Sequence, residues 1–134
     1  MSNTYIYLAS PYSAPDPHTM ELRYLGVMRA CHWLLRQRLW TYSPIVHCHE
    51  IAKTYALPKD RAYWQEYNDA MLRGADELLV LAIAGWREST GVTAEIAYAR
   101  EIDKPTRLLR LQGYDYRYAS SDAEWVPSDG PTTL

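Results

Sequence analysis

The sequence predicts an α/β fold: a doubly wound, flavodoxin-like parallel sheet of four to five strands with helices on both faces. Three observations lead there. Short β-branched or aliphatic runs alternate with longer segments of helical periodicity along the chain. The strongest strand, Glu77-Leu78-Leu79-Val80-Leu81-Ala82-Ile83, has no polar alternation, as expected of a parallel strand covered on both faces. The spacing between runs leaves room for right-handed crossover helices.

Taken in order, Tyr5-Ile6-Tyr7-Leu8-Ala9 reads as a buried strand that stops at Ser10-Pro11. Asp16 is placed to cap the next helix, with Pro17 at its first position. From about His18 to Arg38, Met20, Tyr24, Val27, Met28, Cys31, Leu34 and Leu35 recur at helical spacing. A second strand is expected over Trp40 to Val46, interrupted late by Pro44. The stretch from His47 to Leu57 is ambiguous, with room for a short helix. Pro58 is expected to start a helix ending near Gly74. After the Glu77–Ile83 strand come a loop from Ala84 to Thr90 and a helix from about Gly91 to Ile102. Pro105 ends that helix, and Thr106 to Leu111 reads as a fourth strand. This gives one domain over residues 1–112 and a tail over 113–134, expected as an edge strand or interface segment.

The chain of 134 residues is 48% hydrophobic and 22% charged, with net charge −2 and no block of like charge. A nucleic-acid polymer as partner is therefore not expected, since it demands a basic face. No apolar run reaches the length of about 18 residues that a membrane span needs. The opening residues do not read as a secretory signal, and the two cysteines, Cys31 and Cys48, lack paired spacing. A reduced, cytoplasmic setting is the expectation.

In doubly wound sheets ligands sit beyond the carboxyl ends of the strands, near the switch point. That rule directs attention to Ser10 to Pro17, Ser43 to Glu50 and Ala84 to Thr93. These hold Ser10, Tyr12 and Ser13; His47, His49 and Glu50; and Trp86, Arg87, Glu88, Ser89 and Gly91. Glu95 lies about one turn into the following helix, where the N-terminal dipole favours a carboxylate. His47-x-His49, with Cys48 and Glu50 beside it, suggests metal ligation only weakly, because no distant ligand cluster accompanies it. No Gly-x-Gly-x-x-Gly follows the first strand, which argues against a dinucleotide-dependent dehydrogenase.

Ser89-Thr90-Gly91-Val92-Thr93-Ala94-Glu95-Ile96 resembles the Gly-x-x-x-Glu segment of the nucleoside 2-deoxyribosyltransferase-like family, in particular its phage and bacterial branch. Tyr7-Leu8-Ala9-Ser10-Pro11-Tyr12 is similar to that family's first strand and loop, with Ser10-Pro11 where its enzymes often carry a glycine. Asp69, seven residues before Asp76, matches the carboxylate upstream of the third strand. The similarity spans about residues 5 to 106.

The resemblance implies a cofactor-independent enzyme that cleaves or exchanges the N-glycosidic bond of a nucleoside or nucleotide. By it, Glu95 is the nucleophile or charge stabiliser at the anomeric carbon, Asp69 protonates or orients the base or holds the sugar, and Tyr7 positions Glu95. Substrate contacts are expected from Ser10, Tyr12, Ser13, His47, Trp86, Ser89 and Gly91. A related group hydrolyses nucleoside 5′-monophosphates and holds phosphate with a serine at the position of Ser89; Ser10, Ser13 and Arg23 offer further donors. The resemblance also implies a homodimer or higher homo-oligomer. Two other readings remain open: a nucleotide-binding or sensing module without turnover, and an NAD or ADP-ribose-type glycohydrolase.

Overall fold

The computed structural model describes residues 4–112 and 115–120. The elements are β1 (Ile6–Ala9), α1 (Pro17–Arg36), β2 (Thr41–Tyr42), α2 (Pro44–Tyr55), α3 (Arg61–Arg73), β3 (Glu77–Leu81), α4 (Thr90–Glu101), β4 (Thr106–Gln112) and β5 (Asp115–Ser120). They form one five-stranded sheet in the order β2-β1-β3-β4-β5. The first four strands run parallel, and β5 pairs antiparallel with β4. This is the expected flavodoxin-like α/β arrangement, with the switch point between β1 and β3.

Strand alternation divides the core into two layers. Ile6, Leu8, Leu79, Leu81 and Leu109 face α1, where Val27, Ala30, Cys31 and Leu34 form the buried stripe. Ile45 and Val46 of α2 pack on the same side. Tyr7, Ala9, Leu78, Val80 and Leu108 face the other way, against Leu72 of α3 and Val92 and Ala99 of α4. All four residues of β1 are buried, so neither face of the strand reaches water.

The Asp16–Pro17 start of α1 forms as expected: the aspartate side chain accepts from the backbone N–H of His18 and Thr19. The second strand is a correction. It ends at Tyr42, because Ser43 caps α2 through the N–H of Val46 and Pro44 occupies the first turn. The β-branched Ile45-Val46 pair is therefore helical, and His47, His49 and Glu50 lie on a helix rather than in a loop. The third helix also starts later than Pro58. Asp60 caps it at Tyr63, while the indole Nε1 of Trp64 donates to the Pro58 carbonyl at 2.7 Å and holds that proline outside the helix.

The tail supplies β5 as the expected edge strand. Residues 113–114 and 121–134 of that tail lie outside the described residues.

Candidate functional site

The second position of β1 points Tyr7 into the α3/α4 layer, where it is fully buried. Its hydroxyl donates a hydrogen bond to the carboxylate of Glu95. Glu95 stands in the second turn of α4, which begins directly after the loop leaving β3. Ser89 fixes that start by accepting from the N–H of Val92 at 3.2 Å. Strand and helix thus bring together two residues 88 positions apart in the chain.

Asp69, half-buried on α3, lies close enough to act on both members of this pair. Burial pushes the Glu95 carboxyl up from an ordinary 4.5 to about 7, and the negative charge of Asp69 adds to the rise. The Tyr7 hydrogen bond and the positive charge of Arg61, at the start of α3, pull the other way. The Tyr7 phenol is held well above 10 by burial and by Glu95. Tyr7 therefore stays protonated at neutral pH and acts as a donor, while Glu95 is poised to exchange its proton there.

An aromatic wall adjoins the pair. Tyr42, closing β2, packs its ring 5.8 Å from Tyr7 and 6.0 Å from Tyr5. Its hydroxyl donates to that of Tyr67 at 2.8 Å, and the His47 ring lies 5.8 Å away on α2. Cys48 touches the same two phenols, and burial raises its thiol pKa, which makes it a poor nucleophile. Tyr42, Tyr67 and Arg61 were not among the residues expected from sequence. Tyr42 had a signal, since it occupies the carboxyl end of a strand.

The remaining expected residues fall elsewhere. Tyr12 turns toward the α1/α2 layer, its hydroxyl 2.5 Å from Nδ1 of buried His49. Tyr24 stacks on that imidazole at 3.9 Å, and the Glu21 carboxylate lies 3.4 Å from Nε2. Ser13 is exposed, and its carbonyl accepts from Arg23 at 2.7 Å. Arg23 also reaches the loop after β3. A Cβ on Gly85, at φ +91°, would lie 2.8 Å from its guanidinium, so both conformation and space there favour glycine. Arg23 thereby ties together the loops on either side of the switch point.

Trp86, expected as a substrate contact, is only 4% exposed and packs in the core against the α3/α4 layer. Gly91 lies in open space: an added Cβ would meet nothing nearer than Ser89 Oγ at 3.9 Å. Ser10, at the end of β1, is 6% exposed, and its hydroxyl has no hydrogen-bond partner. Asn68 Oδ1, beside Asp69, is likewise buried and unpartnered. Among the described residues no three His, Cys, Asp or Glu side chains are grouped to hold a metal ion. No helix among them is long and apolar enough to cross a membrane.

Fold and geometry define a flavodoxin-like α/β domain carrying a buried tyrosine–glutamate pair beside its switch point. Residues 4–110 match the family model DUF1937, a domain of unknown function, and the chain belongs to that family. No curated protein matches the chain.

Proposed function

We propose that this domain cleaves the N-glycosidic bond of a nucleoside or nucleoside 5′-monophosphate, by hydrolysis or by base exchange. The observation that carries the reading is the Tyr7–Glu95 hydrogen bond with Asp69 alongside. Such a pair offers a carboxylate fixed in direction and able to ionise near neutrality.

In the proposed reaction the ionised Glu95 carboxylate attacks the anomeric carbon, or stabilises the positive charge that develops there. The C–N bonding pair leaves with the base, which takes up a proton from a water molecule that Asp69 orients. Water then releases the sugar, or a second base accepts it, and Glu95 is regenerated. Tyr7 keeps Glu95 aimed throughout and contributes no proton of its own. The sequence resemblance supports these roles. So do the unpartnered Ser10 hydroxyl and Asn68 oxygen, which a polar ligand would satisfy. The N-terminus of α4, capped by Ser89, supports a 5′-phosphate on the sugar. The chemistry needs no cofactor and fits a cytoplasmic enzyme.

The test is a panel of ribo- and deoxynucleosides, their 5′-monophosphates and NAD, with free base followed by chromatography, with and without a second acceptor base. Base release from monophosphates alone identifies a nucleotide hydrolase, and base exchange on deoxynucleosides identifies a transferase. Nicotinamide release from NAD alone moves the substrate class. No release from any of them by folded protein overturns the reading in favour of a binding module.

A further inference from the structure

The loop between β1 and α1 passes the switch point with few ties of its own. Among the described residues, its backbone from Pro11 to Pro15 makes one hydrogen bond, in which the Ser13 carbonyl accepts from Arg23 at 2.7 Å. The other tie is a side chain: the Tyr12 hydroxyl, 2.5 Å from Nδ1 of His49 on α2. His49 is itself firmly held. It is 8% exposed, Tyr24 of α1 stacks on its imidazole at 3.9 Å, and the Tyr12 ring stands at right angles to it, 5.6 Å away. The carboxylates of Glu21 and Glu50 lie 3.4 and 3.9 Å from Nε2, close to it but not aligned as hydrogen bonds. Burial, with Glu21 and Glu50, raises the Tyr12 phenol above its ordinary pKa, so the hydroxyl keeps its proton and donates. Nδ1 therefore accepts, and the ring proton sits on Nε2, toward the two carboxylates.

We propose that His49 is a positioning residue: by accepting from Tyr12 it holds the β1–α1 loop in the pose that presents Ser10 and Ser13 to the substrate. This role rests on the function proposed above. Ser10 stands two residues before Tyr12 and three after Tyr7, so the clasp acts on the chain directly beyond the Tyr7–Glu95 pair. The Ser10 hydroxyl is buried without a partner, and the path of the loop decides what it meets. Arg23 of α1 and His49 of α2 grip adjacent residues, Ser13 and Tyr12, from two helices. The Tyr12 hydroxyl, engaged on a buried imidazole, acts on the substrate through the loop and not by touching it. Tyr7, Asp69 and Glu95 stand on β1, α3 and α4, outside the loop. Loss of the clasp therefore weakens substrate binding and leaves the reacting groups in place.

Tyr12→Phe, His49→Leu, their double variant and His49→Asn test this in the full chain. The asparagine Oδ1 takes the place of Nδ1 and accepts from Tyr12 in its stead. The backbone heteronuclear NOE at Ser13 and Ala14, measured by nitrogen-15 NMR without substrate, reads the order of the loop. It is expected to fall in Tyr12→Phe and His49→Leu, to fall no further in the double variant, and to stay near wild type in His49→Asn. For base release, KM is expected to rise on the order of tenfold in the first three, the upper reach of one hydrogen bond, with kcat within about twofold. Circular dichroism reports that each variant remains folded. An NOE unchanged by Tyr12→Phe, or a His49→Asn variant as impaired as His49→Leu, would overturn the proposal. So would a KM raised by Tyr12→Phe and not by His49→Leu, which is the result direct contact between Tyr12 and substrate requires. The NOE is read without turnover, so a wild type that releases no base overturns the proposed function while the loop still decides the clasp.

Discussion

The hydroxyl of Tyr7, buried in the second position of β1, donates to the carboxylate of Glu95 in the second turn of α4. This contact ties β1, an interior strand of the sheet, to the helix after β3. It also favours the charged form of Glu95 against the burial that disfavours it.

Tyr7→Phe removes that favourable contact while nearly conserving volume. The Glu95 carboxyl then titrates above about 7, so the acid limb of kcat/KM moves to higher pH. Activity at pH 7 is expected to fall about 10- to 100-fold, with part of the loss recovered at pH 9. A uniform loss at every pH would show that Tyr7 does not set the ionisation of Glu95.

Asp69→Asn acts in the opposite direction. Removing a neighbouring negative charge lowers the Glu95 pKa from about 7. Carbon-13 NMR titration of the glutamate carboxyls reads this shift whether or not the variant turns over substrate. An unchanged titration would place Asp69 out of electrostatic reach of Glu95.

Glu95 also couples stability to pH. Its folded pKa of about 7 lies above the ordinary 4.5, so folding favours the protonated form. That contribution is complete below pH 4.5 and is lost as the pH rises through about 7. Glu95→Gln is therefore expected to stabilise the fold at pH 8 by about 1–3 kcal/mol and to be near neutral at pH 4. Urea unfolding at the two pH values provides the comparison, and an equal effect at both would contradict the assignment.

Ser89→Ala removes the cap of α4, worth about 0.5–2 kcal/mol in thermal unfolding. On the nucleotide reading it also raises KM for 5′-monophosphates and leaves nucleosides unaffected. Equal KM changes for both substrate classes would confine Ser89 to capping.

The legible parts of the fold were those with one-dimensional signals. Leu78-Leu79-Val80-Leu81 admits little besides a buried strand, and Asp16-Pro17 announces a helix start. The same Ser-or-Asp-then-Pro chemistry recurs at Ser43-Pro44, but Ile45-Val46 immediately after it carries strand propensity, and the cap decided the outcome. Trp64, six residues on, kept Pro58 out of α3, a side-chain effect that the local pattern does not carry. The Tyr7–Glu95 pair was reachable through family resemblance. Tyr42–Tyr67 and Tyr12–His49, separated by 25 and 37 residues, were not, because hydrogen bonds between facing elements leave no periodicity. Trp86 illustrates the converse: it stands in a loop that the strand-end rule marks for ligands, yet its ring fills core space.

The most direct measurement is base release from 2′-deoxynucleosides and their 5′-monophosphates by wild type and by Glu95→Gln, followed by chromatography at pH 8. Release by wild type, reduced at least about 1,000-fold in a Glu95→Gln variant that unfolds no earlier than wild type, is the predicted result. Equal release by both proteins, or none by folded wild type, would contradict Glu95 as the group acting at the anomeric carbon.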